Sequence, residues 1–178
     1  MFKRLRQSSK FKVTKSSLLS LSVAVLIFFL FFWRLGTLTP GMSAQEIAAG
    51  KTSASIGAVA DNPLYGPHRI IQFVSQELFG HGAADLRIAS ALFGVFFIFC
   101  FYHLLRNWFG QLVAFFGTLF LVATPWFVLL SRNATPAILY MAPLAVLACY
   151  YWAVRSEKQR ALYVFLILTS LSLYVPGM

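Results

Sequence analysis

Apolar runs long enough to cross a membrane recur along this chain, and they constrain its fold more than any other feature. A helix needs about 20 residues to cross a hydrocarbon core roughly 30 Å thick. Five runs approach or reach that length, and they occupy residues 17–33, 88–105, 112–130, 137–154 and 161–178. Because backbone groups in lipid must be hydrogen-bonded within the segment, these runs predict helices despite their many Phe and Val residues. We therefore expect an all-α membrane protein with about five transmembrane helices.

Composition and charge favour a membrane protein over a nucleic-acid-binding protein. Hydrophobic residues make up 59% of the chain, charged residues only 11%, and the mean hydropathy is +0.74. The net charge of +10 could indicate a nucleic-acid partner in a soluble protein, but here the basic residues cluster at the ends of apolar runs. Cys100 and Cys149 lie inside apolar runs without metal-ligand spacing, so we expect buried thiols and no disulfide or zinc site.

The positions of Lys and Arg predict the orientation, since cytoplasmic loops carry an excess of both. Basic residues precede the first run and follow the fourth, namely Lys3, Arg4, Arg6, Lys10, Lys12, Lys15, Arg155, Lys158 and Arg160. We therefore expect a multi-pass plasma-membrane protein with a cytoplasmic N-terminus. Its predicted parts are a basic tail (1–16), a first transmembrane helix (17–33), an outer loop (34–87) and a bundle of four further helices (88–178). The alternative of a cleaved signal peptide is less favoured, because the first run ends in the bulky sequence FFLFFW.

The outer loop holds the first candidate functional residues. Ser43 and Glu46 form the pattern S-x-x-E, which is typical of a capping box at a helix start, so Glu46 is either a cap or a catalytic acid. Further along, Pro67 can begin a helix and Gly80 can end one. Apolar residues at helical spacing predict that this helix lies in the membrane interface; they are Ile70, Ile71, Val74 and Leu78. His68 and Arg69 would lie in its first turn, either facing lipid headgroups or binding a phosphate.

Short motifs in a fixed order add a family resemblance over roughly residues 34–178. They are NPLY at 62–65, LFG at 78–80, LRIASALFG at 86–94, WFG at 108–110, TPWFVLLSRNATP at 124–136 and YVPG at 174–177. Their order and spacing resemble the N-terminal part of a GT-C glycosyltransferase, in particular the bacterial relatives of protein O-mannosyltransferases and of the aminoarabinose transferase that modifies lipid A. The resemblance implies an inverting enzyme that transfers a sugar from a polyprenyl-phosphate donor to a glycan, lipid or protein acceptor at the outer membrane face.

The resemblance also implies roles for individual residues. Such a transfer uses a carboxylate to take the acceptor's proton and a cation to stabilise the departing phosphate. The family's Asp–Glu pair falls at Gln45 and Glu46, so Glu46 becomes the candidate base, and Asp61 is a second candidate acid. The candidate substrate-binding residues are Arg132, His68, Arg69 and Arg87 for the lipid phosphate and Tyr65 for the lipid groove.

This chain departs from the family pattern where relatives can bind a metal. Many relatives carry a second Arg and an Asp after the third helix, whereas this chain has Thr135 and Ala137 there. We therefore expect no certain cofactor and doubt a divalent metal. Relatives also continue into further membrane helices, so we expect this chain to be the N-terminal portion of such an enzyme. The alternative function is a non-catalytic membrane protein of the same fold that binds a polyprenyl lipid or partner helices, with Glu46 acting only as a cap.

Overall fold

The computed structural model describes residues 25, 27–37, 41–61, 63–80, 82–156 and 159–175. Every regular element within these ranges is a helix. They are α1 (Ala44–Thr52), α2 (Ile56–Asp61), α3 (Gly66–Phe79), α4 (Ala83–Phe109), α5 (Gln111–Ala123), α6 (Pro125–Arg132), a 3₁₀ helix (Pro136–Met141), α7 (Ala142–Ser156) and α8 (Gln159–Ser172). Residues 27–32 are also helical. The basic tail 1–16 and most of the predicted first helix, 17–33, lie outside the described residues.

The apolar helices confirm an all-α membrane protein. Helix α4 and the continuous stretch Pro136–Arg155, formed by the 3₁₀ helix and α7, are long and apolar enough to cross a membrane. Helices α5 and α6 together also qualify, but they meet at an angle of 66°. The break falls at Thr124 and Pro125, where proline cannot donate the hydrogen bond that a continuous helix needs. The third predicted span is therefore two helices, and the total of five spans stays a prediction.

Helix α4 lies at the centre of the described fold and contacts α3, α5, α6 and α7. Its buried Phe97 packs in one core with Phe31, Phe127 and Ile138, which come from three other segments. Gly94 allows α6 to approach closely, because a Cβ atom at this position would lie only 2.5 Å from Ser131 Oγ. Cys100 is buried in the same core, as expected, whereas Cys149 is half-buried.

Helix α3 matches the sequence prediction in its bounds and in its apolar face. Pro67 lies in its first turn and Gly80 caps its end. Its predicted apolar face is exposed, with Ile70 and Leu78 at 54% and 70% accessibility, as a helix against lipid requires. The opposite face is polar and packs into the protein through His68, Gln72, Ser75 and Gln76. Helix α3 therefore brings hydrogen-bonding groups inward, toward α1 and α4.

Candidate functional site

Ser43 and Glu46 form the capping box that the sequence predicts. The Ser43 hydroxyl accepts a hydrogen bond from the Glu46 backbone N–H at 3.2 Å. Glu46 Oε2 in turn accepts from the Ser43 backbone N–H at 3.0 Å. The reciprocal pair satisfies two donors that a helix start leaves free. Glu46 is therefore a helix cap, and its remaining contacts decide whether it can also do chemistry.

The Glu46 carboxylate forms a buried, bidentate ion pair with Arg87 at the start of α4. Arg87 Nε donates to Oε1 at 2.8 Å and Arg87 Nη2 donates to Oε2 at 3.0 Å. Arg87 also donates to the backbone carbonyls of Leu35 and Gly41, at 3.0 and 3.1 Å. Both charged residues are almost fully buried, with 3% of Glu46 and 1% of Arg87 accessible. Arg87 thus joins α1 and the segments around Leu35 and Gly41 to α4.

A third segment reaches the same carboxylate, because the Ala134 backbone N–H donates to Glu46 Oε1 at 3.0 Å. Burial alone would raise the pKa of Glu46, but the hydrogen bonds from Arg87, Ala134 and Ser43 outweigh burial and lower it to about 2. A general base works best when its pKa lies near the working pH. The geometry therefore suits Glu46 to holding three chain segments together better than to accepting a proton.

An open cleft lies beside this ion pair, between α1, α3 and the 3₁₀ helix. Its volume is about 460 Å³. It is lined by Gln45, Ala48, Ala49, Thr52, Tyr65, His68, Arg69, Gln72, Thr135, Pro136, Ala137 and Tyr140. Gln45 therefore borders the cleft, whereas its neighbour Glu46 does not. Of the residues predicted as site residues, the cleft brings together Tyr65, His68 and Arg69.

His68 and Gln72 form the buried floor of the cleft. His68 Nε2 lies 2.8 Å from Ser90 Oγ on α4, and its ring stacks on Phe93 with centroids 5.9 Å apart. Burial and, to a smaller extent, the neighbouring Arg69 lower the pKa of His68 to about 3, although a side-chain hydrogen bond with Gln72 acts in the opposite direction. Gln72 Nε2 donates to the Ala134 carbonyl at 2.8 Å. His68 is thus a neutral, fully buried side chain, and the expectation that it faces lipid headgroups is wrong.

Tyr65 and Arg69 form the cleft wall toward the 3₁₀ helix. The Tyr65 hydroxyl lies 3.1 Å from the Tyr140 hydroxyl, and this hydrogen bond, with burial, raises the pKa of Tyr65. Tyr65 has a left-handed backbone conformation, with φ of 59°, at the cap of α3. Its N–H donates to the Tyr174 carbonyl at 2.9 Å, which ties the cap to the end of the described chain. Tyr65, Arg69 and Tyr140 therefore all line this side of the cleft, and the two tyrosine hydroxyls are hydrogen-bonded to each other.

The other predicted site residues lie away from the cleft lining. Arg132 donates to the carbonyls of Leu30 and Trp33, at 2.8 and 2.7 Å, at the end of the helical segment 27–32. Asp61 is exposed at the last residue of α2. Another acid outside the cleft lining, Asp85, lies in the first turn of α4, where its Oδ2 accepts from the Gly82 N–H at 3.0 Å. These three side chains have structural or solvated positions in this arrangement.

The cleft residues do not fit a divalent metal. Within the described ranges no group of three or more His, Cys, Asp and Glu side chains converges. Such ions prefer carboxylate oxygens, and the described lining offers neutral amides, hydroxyls, one imidazole and one guanidinium. Ala137 also lines the cleft, and its side chain has no group that could bind a metal. No step of the chemistry is therefore assigned to a metal.

Sequence reasoning missed several cleft residues, including Gln72, Tyr140 and Thr135. Gln72 had a detectable signal, because His68, Gln72, Ser75 and Gln76 recur at helical spacing opposite the apolar face of α3. Tyr140 had none, since it lies in an apolar run predicted to span the membrane.

A second, apolar pocket of about 80 Å³ adjoins the same elements and is lined in part by Pro67, Phe93 and Leu139.

Comparison with known proteins identifies one family. Residues 62–175, which make up more than half of the chain, match the family model described as dolichyl-phosphate-mannose-protein mannosyltransferase. No curated protein and no solved structure gives a significant match. The matched region includes α3, α4 and the 3₁₀ helix, and so includes most of the residues that line the cleft.

Proposed function

Since the chain belongs to the dolichyl-phosphate-mannose-protein mannosyltransferase family, and is thus a membrane glycosyltransferase of the mannosyltransferase type, we propose how its cleft works. The cleft binds a polyprenyl-phosphate sugar and passes the sugar to an acceptor at the outer face of the plasma membrane. The observation that carries this proposal is the cleft itself, which Arg69, Tyr65 and Tyr140 line beside a helical stretch long and apolar enough to cross a membrane.

The donor's phosphate belongs at Arg69 and the first part of its hydrocarbon chain at the adjoining apolar pocket, whose volume of about 80 Å³ is too small for a whole chain. Arg69 lies on the cleft wall, and a planar guanidinium suits a phosphate because it can donate two parallel hydrogen bonds. Pro67, one residue before His68, lines the apolar pocket, and Leu139 does so one residue before Tyr140. Polar and apolar surfaces thus meet along both elements. This division matches a lipid with a charged head and a hydrocarbon tail.

Transfer is proposed to be a single displacement that inverts the sugar. The acceptor oxygen forms the new bond to the sugar's anomeric carbon while the bond from that carbon to the phosphate oxygen breaks. The electron pair leaves with the phosphate, whose growing negative charge Arg69 stabilises. Glu46 acts as a positioning residue, since its ion pair and backbone contacts hold α1 and the segment around Ala134 at the two edges of the cleft.

The need to remove a proton from the acceptor restricts which acceptors can react in this cleft. Among the described residues that line the cleft none is a carboxylate, and Gln45 cannot accept a proton. An acceptor whose attacking oxygen is already ionised, such as a phosphate, needs no base. We therefore expect an ionised acceptor to react faster than an alcohol, and we expect Gln45→Asp to increase transfer to an alcohol.

A second candidate function is lipid binding without transfer. The observation that favours it is the carboxylate of Glu46, whose two oxygens already accept four hydrogen bonds from Arg87, Ala134 and Ser43. A protein of this kind would hold a polyprenyl phosphate, or pack on partner helices, without performing chemistry. Binding of a polyprenyl phosphate needs the cleft in either case, and only transfer needs an acceptor.

The test measures binding and transfer separately on the full chain in lipid nanodiscs, with polyprenyl-phosphate mannose as donor. Arg69→Gln is expected to weaken donor binding by about tenfold or more, as loss of a charge-assisted hydrogen bond predicts. The matched control is Lys51→Gln, which removes a cation from the exposed last turn of α1 outside the cleft lining. Equal donor affinity of the two variants would refute phosphate binding at Arg69. Donor binding without transfer to either acceptor class would favour the second function.

A further inference from the structure

Tyr65 and Tyr140 together have one hydroxyl proton more than their own contact uses. Each phenol has a single O–H donor, and the 3.1 Å hydrogen bond between the two oxygens uses one of the two protons. The pair is open to a third group, because Tyr140 is 53% accessible and both residues line the cleft. A ligand in the cleft can therefore accept a hydrogen bond from this pair without breaking the one between the tyrosines.

Tyr65 is the more firmly held member of the pair. Its backbone N–H donates to the Tyr174 carbonyl at 2.9 Å, and its own carbonyl accepts from the N–H groups of His68 and Arg69 at 3.0 and 3.1 Å. The hydrogen bond with Tyr140 raises the pKa of Tyr65 from its ordinary value of 10.0, so Tyr65 keeps its proton at neutral pH. Because Tyr65 is half-buried, we assign its proton to the contact within the pair and the Tyr140 proton to the open cleft.

The charges around the pair suit an anion. Arg69 follows Tyr65 by four residues, the spacing at which helical side chains are neighbours, and the two interact electrostatically. A guanidinium has five N–H groups, so Arg69 can contact an anion while it keeps another partner. His68 is neutral, since its pKa is about 3, and no Asp or Glu is among the described residues of the lining. An anion beside Tyr140 therefore meets hydrogen-bond donors and no described negative charge.

We propose that Tyr140 donates a hydrogen bond to the phosphate of the donor lipid, and that Tyr65 acts as a positioning residue by holding the Tyr140 hydroxyl toward the cleft. This inference rests on the proposed function, which places the phosphate at Arg69. It adds a second donor from a different element, because Arg69 lies on α3 and Tyr140 on the 3₁₀ helix. The phosphate is then held between these two elements.

The hydrogen bond from Tyr140 acts mainly on the leaving phosphate. In the donor lipid the phosphate is a diester with one negative charge, whereas after the sugar has left it is a monoester whose second pKa is about 6. The monoester is a stable anion at neutral pH, so the step needs no proton from Tyr140. Hydrogen bonds accepted by an ionised group are the strong ones. The contribution of Tyr140 therefore grows as the phosphate gains its second negative charge.

Two substitutions separate phosphate recognition from structure. Tyr65→Phe and Tyr140→Phe both remove the hydrogen bond between the two hydroxyls, so a purely structural pair would respond equally to both changes. Only Tyr140→Phe also removes the hydroxyl that contacts the phosphate in this proposal. The matched control is Tyr150→Phe, which removes a phenol hydroxyl from an exposed residue of the same continuous helical stretch, outside the cleft lining.

The experiment measures the affinity of the full chain, in nanodiscs of zwitterionic lipid, for polyprenyl phosphate and for polyprenyl-phosphate mannose. Affinities are measured at about pH 5 and about pH 8, on either side of the second pKa of the monoester. Tyr140→Phe is expected to lose about tenfold in affinity for polyprenyl phosphate at the higher pH, as loss of a hydrogen bond to a charged group predicts. Its loss at the lower pH, and for the mannose lipid at either pH, is expected to be about threefold, and Tyr65→Phe is expected to lose about threefold or less throughout.

The other outcomes each overturn a defined part of this assignment. Equal losses in Tyr65→Phe and Tyr140→Phe at both pH values would give the pair a structural role only. A loss in Tyr140→Phe no larger than in Tyr150→Phe would refute the contact with the phosphate, and weaker binding by Arg69→Gln would then leave the proposed function intact. A larger loss in Tyr65→Phe would reverse the two roles. Binding of neither lipid by wild type would refute the proposed function, and the role of Tyr140 with it.

Discussion

The ion pair between Glu46 and Arg87 gives the sharpest test of how α1 is held on α4. Glu46→Gln keeps the size of the side chain but removes its charge and one of its two acceptor oxygens. The four hydrogen bonds that the carboxylate accepts then have one oxygen to share, and the buried guanidinium of Arg87 is left without a counter-charge. We expect a large loss of stability from this single change.

Two independent routes give a similar magnitude. The pKa of Glu46 falls from its ordinary value of 4.5 to about 2, and this difference corresponds to about 3 kcal/mol of stabilisation of the ionised form. Breaking a buried ion pair by removing one partner costs about 3–5 kcal/mol. Because the pKa is lower in the folded state, this contribution is complete above pH 4.5 and is lost as the pH falls from there toward 2.

The assay measures the free energy of unfolding of the chain in mixed detergent micelles at neutral pH and along an acid titration. The control is Glu77→Gln, which makes the same chemical change at an exposed position on α3. Glu46→Gln should destabilise the fold by about 3 kcal/mol relative to this control and should flatten the acid dependence. A difference under about 0.5 kcal/mol, which is the range of ordinary surface changes, would refute the reasoning.

Three further substitutions test the packing and hydrogen bonds around the cleft by the same unfolding measurement. Gly94→Ala should cost about 1–3 kcal/mol, because its Cβ would lie 2.5 Å from Ser131 Oγ; a neutral result would mean that α6 can move away. Arg132→Met should cost about 0.5–1.5 kcal/mol by removing two exposed hydrogen bonds to backbone carbonyls. Reduced donor affinity at full stability would instead restore the predicted phosphate role of Arg132. Tyr140→Phe should cost about 1 kcal/mol through its lost bond to Tyr65, and a stabilised variant would contradict that bond.

Features that depend on local chemistry could be predicted from the sequence. The capping box at Ser43 and Glu46 needs only residues three apart, and the bounds of α3 follow from Pro67 and Gly80. The helical character of the apolar runs follows from the lack of water in lipid. Each of these features is determined by interactions between residues that are close in the sequence. A sequence pattern is therefore enough to predict it.

Features that depend on distant partners could not be predicted in this way. Arg87 lies 41 positions from Glu46 along the chain, and nothing in its own segment distinguishes a buried partner from an interfacial anchor. His68 was expected near headgroups because it lies in the first turn of a helix with an apolar face. In the fold that apolar face points outward, and so the polar face of α3 is the one that packs on α4.

Contacts with distant partners also decide which of the neighbouring residues Gln45 and Glu46 borders the cleft. Adjacent residues on a helix point about 100° apart, so one member of a neighbouring pair can border a cleft while the other turns away from it. In α1 it is Gln45 that borders the cleft and Glu46 that turns toward Arg87. A carboxylate at position 46 therefore cannot substitute for one at position 45 without moving the helix that it caps. This separation is why Gln45→Asp, rather than any change at Glu46, is the substitution expected to add a base to the cleft.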